Sequence, residues 1–146
     1  MNAVNNGTFR ICKEVTISYR SFISNLLSDG LHYFSGYGFY TDWDKNQYRD
    51  AKERLSNQNL DATFEDILTE MIITGGALSF IDEEGDGEYT KTLTLDAVEK
   101  ALWKFLDEEP NDAFIMGVGR IIEEEYDADD CDNILQHILF GECMFS

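Results

Sequence analysis

Residues 77–95, ALSFIDEEGDGEYTKTLTL, place an acidic, glycine-containing middle between two alternating apolar runs. The stretch suits either a calcium loop or a hairpin turn. A calcium loop requires oxygen ligands at positions 1, 3 and 5, glycine at 6 and a bidentate carboxylate at 12. Asp82, Glu84, Asp86 and Gly87 fill positions 1, 3, 5 and 6, but position 12 is Leu93, which coordinates nothing. Glutamate at position 3 is also longer than the usual aspartate, and the upstream pattern is a strand rather than a helix. The hairpin requires only that GDG, residues 85–87, reverse the chain, with glycine supplying the positive φ of a tight turn. Its flanks alternate as strands do: Leu78 and Phe80 share one face, and Tyr89, Leu93 and Leu95 share one face of the return. We therefore expect an antiparallel hairpin over 77–95, turning at Gly85–Gly87, without calcium and with Leu78, Phe80, Leu93 and Leu95 on helices.

Helical periodicity surrounds this hairpin. Upstream, TFRICK (8–13) alternates like a short strand, and from about Ile17 Phe22, Ile23, Leu26 and Leu27 form a helical stripe that Gly30 is placed to stop. The aromatic stretch LHYFSGYGFYTDWD (31–44) is too glycine-rich to assign to a helix. DKNQYRDAKERLS (44–56) reads as a helix capped by Asp44, and TFEDILTEMIITGG (63–76) as one capped by Thr63, with Phe64, Ile67, Leu68, Met71 and Ile72 inward. After the hairpin comes DAVEKALWKFL (96–106), where Asp96 and Glu99 have capping-box spacing and Pro110 ends the segment. Two amphipathic helices follow, within 111–126 and 129–140. With no repeat, linker or low-complexity tract, 1–146 reads as one α+β domain, five or six helices around a small antiparallel sheet.

Charge is the strongest functional signal. The 146 residues carry a formal net charge of -18, against the roughly 2 to 8 that keep a small domain soluble. Residues 1–56 hold seven basic and six acidic residues, a net of +1, whereas 57–146 hold four basic and 23 acidic, a net of -19. Hydrophobic residues make up 43% of the chain, too many for a disordered acidic tail. The acids concentrate in three places: Asp82, Glu83, Glu84, Asp86 and Glu88 at the hairpin; Asp107, Glu108, Glu109 and Asp112; and Glu123, Glu124, Glu125, Asp127, Asp129, Asp130 and Asp132. Glu123–Glu125 and DEEPND (107–112) follow helix C-termini, where the macrodipole favours cations, so helix stability does not explain them. Asp127 or Asp129 is placed to cap the last helix; Glu123, Glu124, Glu125, Asp129 and Asp130 are expected in solvent, and the acids of the three groups are expected to present a continuous negative surface.

Other chemistries find less support. Cys131, His137 and Cys143 lack the close pairs of a structural zinc site, and Cys131 shares a stripe with Leu135 and Ile138, as a buried free thiol would. GVGR (117–120) lacks the third glycine and preceding strand of a dinucleotide loop. No Gly-x-Ser-x-Gly elbow accompanies the two histidines. The aromatics of 31–44 could stack bases, but a chain this acidic repels a polyanion. The N-terminal residues lack the apolar core of a secretion signal, no run approaches a membrane span, and three scattered cysteines suit a reducing cytoplasm.

In size, acidity and helix-plus-hairpin pattern the chain resembles the small DNA-mimic inhibitors of phages and plasmids, including anti-restriction and anti-CRISPR proteins. GYGFYTDWD (36–44) together with LSFIDEEGDGEYT (78–90) is also similar to uncharacterised small proteins of phage and mobile elements. Neither resemblance carries a functional residue. Taken with the charge pattern they lead us to expect a non-enzymatic, cofactor-free cytoplasmic inhibitor, in the host cell if phage-encoded. The charge pattern alone singles out the sixteen named acids to bind a basic DNA- or RNA-binding defence protein. The alternative is a carboxylate-rich module that binds a divalent cation or other ligand at 82–88.

Overall fold

The computed structural model describes residues 7–12 and 14–146; residues 1–6, where the expectation about a secretion signal falls, and Lys13, the end of the TFRICK stretch, lie outside the described residues. Among the described residues there are six α-helices and two small antiparallel sheets, an α+β arrangement. The first sheet is a hairpin of β1 (Thr8–Cys12) and β2 (Val15–Ser18). β2 occupies the point where helical periodicity was expected to begin. The helix α1 (Tyr19–Gly36) starts only after Ser18, whose side chain accepts from Ser21 N–H at 3.0 Å.

α1 then runs straight through Gly30. That glycine is a point of close approach rather than a stop: a Cβ there would lie 2.8 Å from Leu135 Cδ2. The buried face of α1, Phe22, Ile23, Leu26, Leu27 and Phe34, thereby forms the centre of the core. β3 (Phe39–Asp42) grows out of the aromatic stretch and pairs antiparallel with β4 (Leu78–Asp82), with Phe39 opposite Asp82 and Thr41 opposite Phe80. On its other edge β4 pairs with β5 (Lys91–Leu93), Leu78 facing Leu93 and Phe80 facing Lys91.

The expected hairpin is therefore present, but as two-thirds of a three-stranded sheet, with a shorter return strand. Its 3₁₀ turn, Gly85–Gly87, places both Asp86 (φ 63°) and Gly87 (φ 76°) in the left-handed region. Leu78, Phe80 and Leu93 are fully buried and Leu95 packs against the core, whereas Tyr89 lies in the connection rather than the strand.

Local chemistry sets most helix starts. Asp44 caps α2 (Lys45–Asn57), and Thr63 with Asp66 forms a reciprocal capping box on α3 (Phe64–Ile73). Phe64 sits in the exposed first turn instead of facing inward. α4 (Leu95–Trp103) is capped by Thr94, which accepts from Ala97 N–H at 3.1 Å. Asp96 lies inside the first turn and pairs with Lys100 at 2.9 Å, so the Asp96–Glu99 box is not formed. The chain widens into a π-helical turn, Lys104–Glu108, before Asn111 caps α5 (Asp112–Ile122) and Asp127 caps α6 (Ala128–Phe140). α6 packs between α1 and α5 and carries the buried Ile134, Leu135 and Leu139. No described helix is long and apolar enough to cross a membrane.

Candidate protein-interaction face

Thirteen of the sixteen acids singled out above are exposed: Glu83, Glu84, Asp86, Glu88, Asp107, Glu108, Glu109, Asp112, Glu123, Glu124, Glu125, Asp127 and Asp129. The other three are buried, which corrects the expectation that they face solvent. Each has a partner that makes burial tolerable, since an unpaired buried carboxylate would be strongly unfavourable. Asp82 braces the hairpin turn, accepting from Glu84 N–H at 3.0 Å and Tyr89 N–H at 3.2 Å. Asp130 accepts from Arg120 Nη1 at 2.6 Å and from the backbone N–H of Asp127, completing the α6 capping box. Asp132 accepts from Tyr37 Oη at 2.7 Å and from buried Gln136. Burial pushes the Asp132 carboxyl up, against the lowering effect of those two hydrogen bonds.

Asp82 matters for the cation alternative as well. Both of its carboxylate oxygens already serve backbone N–H groups. No cluster of three His, Cys, Asp or Glu side chains suited to a metal occurs among the described residues.

The hairpin tip and the α6 N-terminus are joined across the surface by the end of α1. Tyr33 and Tyr37, one turn apart, stack with ring centres 6.3 Å apart. Tyr33 Oη donates to Asp129 at 2.6 Å, and that bond, with burial, pushes its phenol up to about 12. Burial and the bond to Asp132 raise Tyr37 further. Next to Tyr37, a Cβ on Gly38 would meet Glu84 Oε1 at 3.6 Å. Glu84 thus lies beside Gly38 at one end of the Tyr33–Tyr37 pair and Asp129 is bonded at the other.

The other two acidic groups are mounted at opposite ends of α5, about 16 Å apart at 1.5 Å per residue. Asp107–Asp112 precede it and form the acidic π-turn corner. Glu123 ends it, and Glu124 follows in the left-handed conformation at φ 59°. The backbone N–H groups of Glu123, Glu124 and Glu125 all close onto α5 carbonyls, which fixes the backbone that carries the three carboxylates. Few cations offset these acids. Of the four basic residues after residue 56, Lys100, Lys104 and Arg120 already pair with Asp96, Glu109 and Asp130.

The zinc and nucleophile candidates resolve into packing. Cys131 is buried and free, and its thiol donates to Asn25 O at 3.3 Å. Cys143 Sγ lies 2.6 Å from Asn133 Oδ1 and 3.9 Å from His137 Nδ1. That nitrogen is 2.8 Å from the Asn133 carbonyl, a distance suited to an Nδ1–H donor rather than a base toward Cys143. Burial and then Asp132 push the Cys143 thiol up, the reverse of nucleophile activation.

Among the described residues, two of the clefts hold about 310 and 410 Å³. Glu99 borders the first and is pushed up by burial and then by Asp96, but Asp96 is committed to Lys100. The aromatic stretch borders neither of these two clefts. Phe34 and Phe39 are core, while Trp43 and Tyr48 stack at 5.4 Å beside Phe64.

Sequence reasoning did not single out Trp103, Ile115 and Met116, which with Tyr40, Leu60, Phe64 and Met144 are the large apolar side chains exposed among the described residues. Their signal was available: Ile115 and Met116 fall outside the inward stripe of Phe114, Val118 and Ile121. Comparison of the chain with protein-family models, curated proteins and solved structures finds no match.

Proposed function

We propose that this chain is an acidic interaction module that occupies the nucleic-acid site of a basic DNA- or RNA-binding protein, of the kind used in host defence, and so inhibits it. The observation that carries the proposal is the set of thirteen exposed acids on rigid mounts, with few cations nearby. Duplex DNA presents about one negative charge per 1.7 Å of axis, so a competitor must hold dense charge on a frame that resists its own repulsion. A braced hairpin turn, a π-turn corner and closed helix ends provide such mounts, and the phenylalanine-rich core supports them.

The test is a variant that neutralises exposed acids only: Glu123→Gln, Glu124→Gln, Glu125→Gln and Asp129→Asn. Asp82, Asp130 and Asp132 stay intact, because their carboxylates hold the fold. Parent protein on resin should recover a nucleic-acid-binding protein from host lysate, released by salt and by added DNA. The variant should melt at least as high as the parent and recover much less. Equal recovery with unchanged salt dependence would refute the proposal. Asp130→Asn alone serves as the fold control and should lower stability by about 2 kcal/mol through its lost Arg120 bond.

A further inference from the structure

α5 is apolar on two sides. Phe114, Gly117, Val118 and Ile121 face the core, yet Ile115 and Met116 on the outer side are 37% and 57% exposed. A surface helix ordinarily presents polar residues there. Its solvent stripe runs from Asp112 through Ile115, Met116 and Gly119 to Glu123, acidic at both ends and apolar between. A Cβ on Gly119 would meet nothing within 4 Å, so the middle of the stripe is open as well.

Trp103, at the end of α4, is 61% exposed. Between Trp103 and Met116 lies one continuous corner: the π-helical turn, the acidic connection and the first turn of α5. The Phe105 and Phe114 rings, 5.3 Å apart, pin its two arms together. π-turns of this kind recur at functional sites. Along the chain Trp103 precedes this corner and Ile115 and Met116 follow it, with exposed Asp107, Glu108, Glu109 and Asp112 between them and Lys104 Nζ 3.9 Å from Glu109.

We infer that this corner anchors the interface: Trp103, Ile115 and Met116 pack against apolar surface on a basic protein, and Asp107, Glu108 and Asp112, which lack the lysine partner that Glu109 has in Lys104, meet its lysines and arginines. The inference rests on the acidic-face function proposed above and adds a hydrophobic anchor to it. Tryptophan and methionine are enriched at interface centres, where a few buried anchors carry most of the affinity. Charge selects the occupant. A second copy would press four acids against four in chains of net charge -18, and a nucleic acid would be repelled in the same way. A basic protein is favoured by both the apolar and the charged contacts. Apolar burial also survives salt that screens exposed charges, so binding here has a salt-resistant part.

Two synthetic peptides of equal positive charge probe the corner: an amphipathic leucine–lysine helix and an oligolysine. Each is titrated by calorimetry, at low and high salt, into the parent, Trp103→Ser and Met116→Ser. The parent should bind the amphipathic peptide about tenfold tighter, some 1.4 kcal/mol, and keep that advantage at high salt. Both variants should lose the advantage while binding oligolysine unchanged. Because both side chains are exposed the variants should fold, and half-buried Trp43 reports this by fluorescence. Variants that keep the advantage, or a parent that does not distinguish the peptides, would overturn the anchor while leaving the acidic face standing. Failure of both peptides to bind the parent would remove the acidic-face function too. Concentration-dependent self-association that shields Trp103, or binding of duplex DNA that shields it, would also overturn the inference.

Discussion

Replacing Glu70 by glutamine removes a charge shared by three helices. The Glu70 side chain on α3 is only 6% exposed, and it accepts from Arg20 of α1 at 2.6 Å and Arg54 of α2 at 2.8 Å. Arg54 also donates to Thr74 Oγ1 at 2.8 Å, which fixes the guanidinium. Two unit charges about 4 Å apart attract by roughly 4 kcal/mol at an effective dielectric of 20. The net effect is smaller, because Arg20 and Arg54 are 49% and 41% exposed and water screens them, and because Glu70 was desolvated to reach this position. Glutamine preserves the size and one acceptor oxygen, so the expected loss is about 2 kcal/mol, near the value of a hydrogen bond to a charged group. For a chain of this length that lowers Tm by about 4 to 8 °C.

The pH dependence separates charge from packing. Burial pushes the Glu70 carboxyl up, but the hydrogen bonds and charges of the two arginines outweigh it and the net shift is downward. A carboxyl lowered on folding contributes stability that is fully present above its unfolded pKa and lost as pH falls through the folded one. The Tm gap between parent and Glu70→Gln should be full at neutral pH and close below about pH 4. Thermal melts by circular dichroism across that range measure it. A gap that persists unchanged in acid, or is absent at neutral pH, would refute the three-helix charge argument.

Two more perturbations test local features. Glu124 holds φ 59°, a conformation that favours glycine, with its carboxylate at a helix C-terminus; Glu124→Gly should raise stability by about 1 kcal/mol. Glu123 has φ -84°, and Glu123→Gly should show no such gain in the same melts. The Cys131 thiol is buried, and burial, with Asp29 and Asp130 nearby, pushes it up to about 12. Native protein treated with iodoacetamide should therefore be labelled at Cys12 and Cys143, with Cys131 reacting only after denaturation, as read by mass spectrometry. Labelling of Cys131 in the folded protein would contradict its packing.

Much of the fold was legible because its causes are local. Alternation and GDG placed the hairpin, and Asp44 and Thr63 announced their helices, since a cap or a tight turn is decided within about four residues. Segregation of the acids was equally plain, as charge is counted rather than folded. The tertiary structure decided what depends on distant partners. Gly30 serves the approach of Leu135 instead of stopping α1, which continues through the first six residues of the aromatic stretch despite its glycines, and only Phe39–Asp42 become β3, on the edge of β4. Most telling are the acids, which look alike in sequence but separate on folding. Asp129 stays in solvent while Asp130 and Asp132 are buried, because Arg120, Tyr37 and Gln136 can satisfy those two carboxylates. The energy of burying a charge is set by the groups that surround it, and those are assembled only when α1, α5 and α6 pack together.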